Sequence, residues 1–162
     1  MPTTNRTSQD RARRANIAAA AAGAIQPAVP WIPPNGTDSQ MQPAGIAWDA
    51  VRAPSRIARL ALAALCDEAG AVIRDPYNGD LYWLLPAGAG AEWEPLPDVT
   101  TYGTACYIEV PPLGRTGGPG PYWIREPRGR LLTHPATLHA ALAAAVAEQR
   151  PGDRPGAREV HP

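Results

Sequence analysis

The 162 residues suffice for one domain with a real core and, once the ends are set aside, not for two ordinary ones. Twenty Pro and fifteen Gly imply long irregular segments, while two Cys and three His exclude a disulfide framework and a structural Cys/His zinc cage. Net charge is zero, and residues 44–149 carry eight Arg against eleven acids, which excludes a domain-wide basic footprint for nucleic acid. Every basic side chain is Arg, and the chain is rich in Ala. That bias is the mark of a GC-rich genome, so Arg by itself is not read as phosphate chemistry.

Residues 1–44 lack sustained periodicity and read as a disordered Ala/Arg- and Pro-rich tail. Arg11-Ala12-Arg13-Arg14 before Ile17–Ile25 has the outline of a signal peptide, but the run is mostly Ala and Gly. It is too weakly apolar for export or a membrane span. The expectation is a cytoplasmic protein away from membranes, with Cys66 and Cys106 as reduced, buried thiols. Pro27, Pro30, Pro33 and Pro34 enforce an extended linker, in which Trp31 is the one residue suited to dock on the domain.

The domain is expected over 45–149, starting with a strand-like run from Gly45 to Val51. Ser55 suits the cap of a helix to about Ala69, with Gly70 as its stop. Ile57, Leu60, Ala61, Ala64 and Leu65 recur at helical spacing and predict one core-facing stripe. Ala71–Asp75 and Asp80–Pro86 read as strands of a hairpin, because Asn78-Gly79 tolerates the positive φ of a type I′ turn. Ala87–Gly103 is a long loop or a wandering edge. Cys106, Ile108 and Val110 alternate with Tyr107 and Glu109, as in a half-buried strand. Tyr122–Arg125 is the last strand. Pro135 opens a helix to about Gln149 with Leu138, Ala141, Leu142, Ala145 and Val146 inward. Residues 150–162 read as a second disordered tail. The fold class is α+β: a small, mainly antiparallel sheet with a hairpin at 71–86, packed against helices at about 55–69 and 135–149.

The sequence offers two candidate sites and no catalytic constellation, metal set or cofactor motif. Arg115 in a Gly-rich loop, Tyr122 and Trp123 on a strand, and Arg125, Arg128 and Arg130 beyond it combine phosphate-binding and stacking groups. Trp48, Asp49 and Arg52 suggest a polar pocket at the mouth of the sheet, or an Asp49–Arg52 ion pair. Tyr82, Trp83 and Trp93 suit a ligand groove or, more simply, the core. Asp75 and Asp80 flank the hairpin turn and suit it as turn formers.

Five blocks carry a resemblance: Trp48-Asp49-Ala50-Val51-Arg52-Ala53-Pro54, Gly70-Ala71-Val72-Ile73, Tyr82-Trp83-Leu84-Leu85-Pro86-Ala87-Gly88, Tyr107-Ile108-Glu109-Val110-Pro111-Pro112 and Gly120-Pro121-Tyr122-Trp123-Ile124. The series resembles small actinobacterial proteins related to the N-terminal domain of bifunctional DNA primase/polymerases, over roughly residues 45–148. Catalytic members of that family hold two metals on an Asp-x-Asp pair, a third acid and a later His. This chain has no Asp-x-Asp, and His134 and His139 belong to the last helix. The resemblance thus implies a non-catalytic, prim-pol-like accessory or regulatory protein in DNA transactions, on a mobile element for example, binding a protein or single-stranded nucleic acid. The alternatives are a diverged metal-dependent nucleotidyltransferase or nucleotide-binding protein using Asp49, Asp75 or Asp80, and a protein-interaction module without a nucleic-acid role.

Overall fold

The computed structural model describes residues 25–150; residues 1–24 and 151–162 lie outside the described residues, and with them most of the two tails and the signal-like run. The α+β class holds. Strands β1 (Gln40–Pro43) and β2 (Trp48–Ala53) lead into helix α1 (Ser55–Leu65), then β3 (Val72–Arg74) and β4 (Leu81–Pro86). β5 (Thr100–Tyr102), β6 (Tyr107–Val110), β7 (Tyr122–Arg125) and helix α2 (Pro135–Glu148) complete the order. Five strands form an antiparallel sheet in the order β5-β2-β4-β3-β7, and β1 pairs with β6 as a separate antiparallel ribbon.

Strand alternation divides the interior in two. Val51, Ala53, Val72, Leu81, Trp83 and Leu85 face α1 and α2, against Ile57, Ala61, Leu138 and Leu142. Their sequence neighbours Trp48, Ala50, Ile73, Leu84 and Trp123 face the other way, onto Ile108 and Val110 of the ribbon and onto Trp31. The sheet is therefore covered on both faces, by the two expected helices on one and by the ribbon with Trp31 on the other. Trp48, Trp83 and Trp123 are the largest fully buried side chains. Each removes roughly 150–250 Å² from water, or roughly 4–6 kcal/mol of transfer free energy at about 25 cal/mol per Å². Among the described residues only Trp123 finds a partner for its indole donor, Nε1–H to the Pro112 carbonyl at 3.2 Å, while Nε1 of Trp48 and of Trp83 finds none.

The second layer corrects the N-terminal boundary. Residues 40–43, read as part of a disordered tail, are a strand with Gln42 opposite Ile108 and Gln40 opposite Val110. Ahead of it, Trp31 meets Trp48 edge-on at 5.8 Å and donates Nε1–H to Gln42 at 3.1 Å, as its expected docking role requires. Gly45 (φ 87°) turns the chain from β1 into β2 against Thr104, where a Cβ would sit 2.6 Å from the Thr104 nitrogen.

Local details also differ from expectation. Pro54 occupies the cap position of α1 with extended backbone, so Ser55 falls inside the first turn and makes no capping hydrogen bond. The helix ends at Leu65, and a 3-10 turn over Cys66–Glu68 carries the chain to Ala69. Its buried stripe is Ile57, Ala58, Ala61 and Leu65; Leu60 is half-buried and Ala64 exposed. Cys66 is exposed and Cys106 intermediate, not buried thiols. The 71–86 hairpin forms, but only Gly79 has positive φ (79°), so the connection is a four-residue loop over 76–79 and not a two-residue type I′ turn. Gly79 N–H donates to the Asp75 carbonyl at 2.8 Å and Asp75 N–H to the Asp80 carbonyl at 3.0 Å. Asp75 and Asn78 brace the loop by accepting from Tyr77 N–H and Asp80 N–H. α2 begins with Pro135 at its first turn and buries Leu138, Leu142, Ala145 and Val146 as read, with Ala141 of the same stripe half-buried. No helix among the described residues is long and apolar enough to cross a membrane.

Candidate functional site

A cleft of about 240 Å³ opens on the ribbon side of the sheet. Register explains its floor: Arg52, Tyr82 and Ile73 lie abreast on β2, β4 and β3, all directed away from the helices. One step along, Tyr102 of β5 stands opposite Ala50, whose small side chain leaves the Tyr102 ring room beside Tyr82. The two rings are 6.2 Å apart and tilted by 38°. Tyr107 of β6 adds a third aromatic at the rim, 60 % exposed. Two acidic residues, Asp75 from the hairpin loop and Glu109 from β6, line the same opening.

Arg52 organises the side of the cleft without lining it. Its guanidinium lies 5.8 Å from the Tyr102 ring centre, 3.6 Å from Asp80 and 3.5 Å from the Thr100 hydroxyl. Burial alone would lower its pKa, but Tyr102, Tyr82 and Asp80 more than offset this and hold it above the ordinary arginine value. Burial pushes the Tyr82 hydroxyl up and Tyr102 adds to the rise, against the pull of Arg52. Tyr82 therefore stays neutral at physiological pH, able to donate and accept. Burial likewise raises the Asp80 carboxyl, opposed by Arg52 and reinforced by Asp75.

The sequence-predicted pocket of Trp48, Asp49 and Arg52 does not assemble, because period-two alternation sends Asp49 to the face opposite Trp48 and Arg52. Trp48 is core on the ribbon side. Asp49, 2 % exposed, accepts the Gly90 N–H at 3.0 Å and pins the 89–92 turn to the sheet, while its Oδ1 has no partner among the described residues. Arg52 pairs with Asp80, not with Asp49.

The predicted basic–aromatic patch is spread over separate tasks. Arg115 is half-buried, donating to the Ser39 hydroxyl at 3.1 Å and to the Thr37 carbonyl, so it clamps the segment leading into β1. Trp123 is buried, and its ring face is closed to stacking. Tyr122 and Arg125 are half-exposed at the two ends of β7. Arg128 pairs with Glu126, and Arg130 donates to the Glu68 carbonyl at 2.9 Å. Of the groove candidates only Tyr82 lines the cleft; Trp83 is core and Trp93 packs edge-on against His139 at 5.1 Å. Asp75 enters the cleft, Asp80 turns to Arg52 and Asp49 sits on the far face. Among the described residues no three His, Cys, Asp or Glu converge to hold a metal ion.

Sequence reasoning missed Tyr102, Tyr107 and Glu109 as partners of Tyr82. The available signal was the alternation within Tyr82-Trp83: if Trp83 is core against the helices, Tyr82 must face the other layer. Comparison of the chain with protein-family models, with curated proteins and with solved structures returns no match.

Proposed function

We propose that this chain is a non-catalytic accessory module that works by holding a protein partner at the tyrosine cleft. The observation that supports this is the cleft itself: three tyrosines and two carboxylates brought by four separate elements to one opening. Aromatic side chains with a polar tip supply large contact area at little entropy cost and are enriched where proteins bind proteins. An acidic opening repels phosphate, which disfavours nucleic acid as the occupant. The prim-pol-like resemblance would make the setting a DNA transaction in which this module contacts another protein of the machinery.

The test pairs two titrations of the full-length chain. Peptides selected from a random displayed library are expected to bind, and to lose binding in Tyr107→Ala, an exposed change that leaves the fold intact. A single-stranded oligonucleotide is expected not to bind even at low salt. Oligonucleotide binding that falls steeply with salt and weakens in Arg125→Ala/Arg128→Ala/Arg130→Ala would replace this reading with a nucleic-acid one.

A further inference from the structure

We infer that the cleft is built for one chemical group, the guanidinium of an arginine presented by a partner protein; this rests on the reading of the cleft as a protein-binding site. Charge complementarity carries the inference. Asp75 and Glu109 line the opening, and among the described residues neither makes an ion pair. One Asp75 oxygen accepts the Tyr77 N–H, which fixes the carboxylate and leaves its other oxygen free among the described residues. Arg52, the cation beside the cleft, is engaged with Asp80 and does not neutralise them.

The aromatic lining adds a second, independent requirement. A flat cation is attracted to the negative faces of aromatic rings, and arginine is the side chain most often found there. Arg52, 5.8 Å from the centre of the Tyr102 ring, shows that a ring of this cleft already attracts a guanidinium. A planar fork also meets a carboxylate through two parallel hydrogen bonds, which an ammonium cannot do. Ile73 and Ile108 supply apolar surface at the base for the methylene stem of an arginine. A volume of about 240 Å³ accommodates one such side chain and little more.

The experiment is a nuclear magnetic resonance titration of the ¹⁵N-labelled full-length chain with a capped Gly-Gly-Arg-Gly-Gly peptide. The control is the same peptide with citrulline, which keeps the shape and removes the charge. The arginine peptide is expected to shift the amides of Ile73, Tyr82, Tyr102 and Glu109, with at least about tenfold weaker binding for citrulline and for Glu109→Gln. Glu109 is exposed, so that variant leaves the fold alone. If citrulline shifts the same amides with equal affinity, the cleft binds peptides without regard to charge; the arginine assignment is overturned and the module reading survives. If neither peptide moves those amides, the arginine assignment is overturned; selected library peptides whose binding then survives Tyr107→Ala place the partner elsewhere and take the module role from the cleft as well, whereas peptides that lose binding leave that role standing.

Discussion

Burial raises the Asp80 carboxyl above its ordinary value, Arg52 at 3.6 Å pulls it back, and Asp75 pushes it up again, with a net rise. A raised folded-state value favours the protonated carboxyl in the native protein. The associated stability is fully present below the ordinary value of 3.8 and is lost as pH rises through the higher folded value. Asp80→Asn removes that dependence. Relative to the parent, the variant should therefore gain stability between about pH 3 and pH 7 in urea unfolding, and a relative loss over that interval would contradict the assignment. Asp49 makes a different case. Asp49→Ala strips the carboxylate acceptor from the buried Gly90 N–H, and a loss of about 1–3 kcal/mol is expected on chemical denaturation. A loss under about 0.5 kcal/mol would mean that water reaches this N–H. At this scale the sequence named polar residues correctly as unusual and grouped them wrongly. Trp48, Asp49 and Arg52 are close along the chain, yet a strand separates neighbours across its two faces.

Helix faces were more legible, because a stripe at helical spacing is a local property. In α2, Leu138, Leu142, Ala145 and Val146 are buried as the spacing predicts. In α1 the stripe is rotated: Ala58 replaces Ala64, and Leu60 is only half-buried. Leu142→Ala should thus cost roughly 2–5 kcal/mol, as a cavity in a closed core does, and Leu60→Ala distinctly less. Thermal or urea unfolding of the two variants side by side decides this, and equal losses would restore the unrotated stripe. The start of α1 misled for a physical reason. Ser55 is a good cap by type, but Pro54 already holds the extended backbone that a cap position needs. Arg115 acts at the level of elements too. It joins the 113–121 loop to the segment before β1, and Leu113 N–H adds a bond to the Pro34 carbonyl at 3.0 Å. Arg115→Ala should speed hydrogen exchange in residues 34–43 while leaving α1 and α2 unchanged; uniform acceleration would show that the clamp supports the whole fold.

For the molecule as a whole, the two faces of the sheet were not equally visible in the sequence. The helix-facing layer follows from long periodic segments. The ribbon layer does not, because Gln40-Met41-Gln42-Pro43 is too short to show a period, leaves Met41 exposed, and acquires its strand character from β6, far along the chain. Such pairing leaves no local pattern. The tyrosine cleft, which lies between sheet and ribbon, was hidden with it. A truncation comparison tests the corrected boundary. A chain beginning at residue 25 should match the full-length protein in stability, whereas one beginning at residue 45 uncovers Trp48 and should unfold at clearly lower urea concentration. Equal midpoints for the two would make the ribbon an ornament.

The partnership of β1 with β6 also has a consequence in time. A ribosome delivers β1 early, and β6 only after the intervening sheet strands have been made. At about 5–20 residues per second the wait is roughly 3–13 s. Through that interval α1 has no α2 to pack on, Trp48 lacks its cover, and both faces of a growing sheet meet water. The newborn chain is therefore most vulnerable to self-association before residue 110 emerges, and the helix-facing side stays open until α2 (Pro135–Glu148) follows.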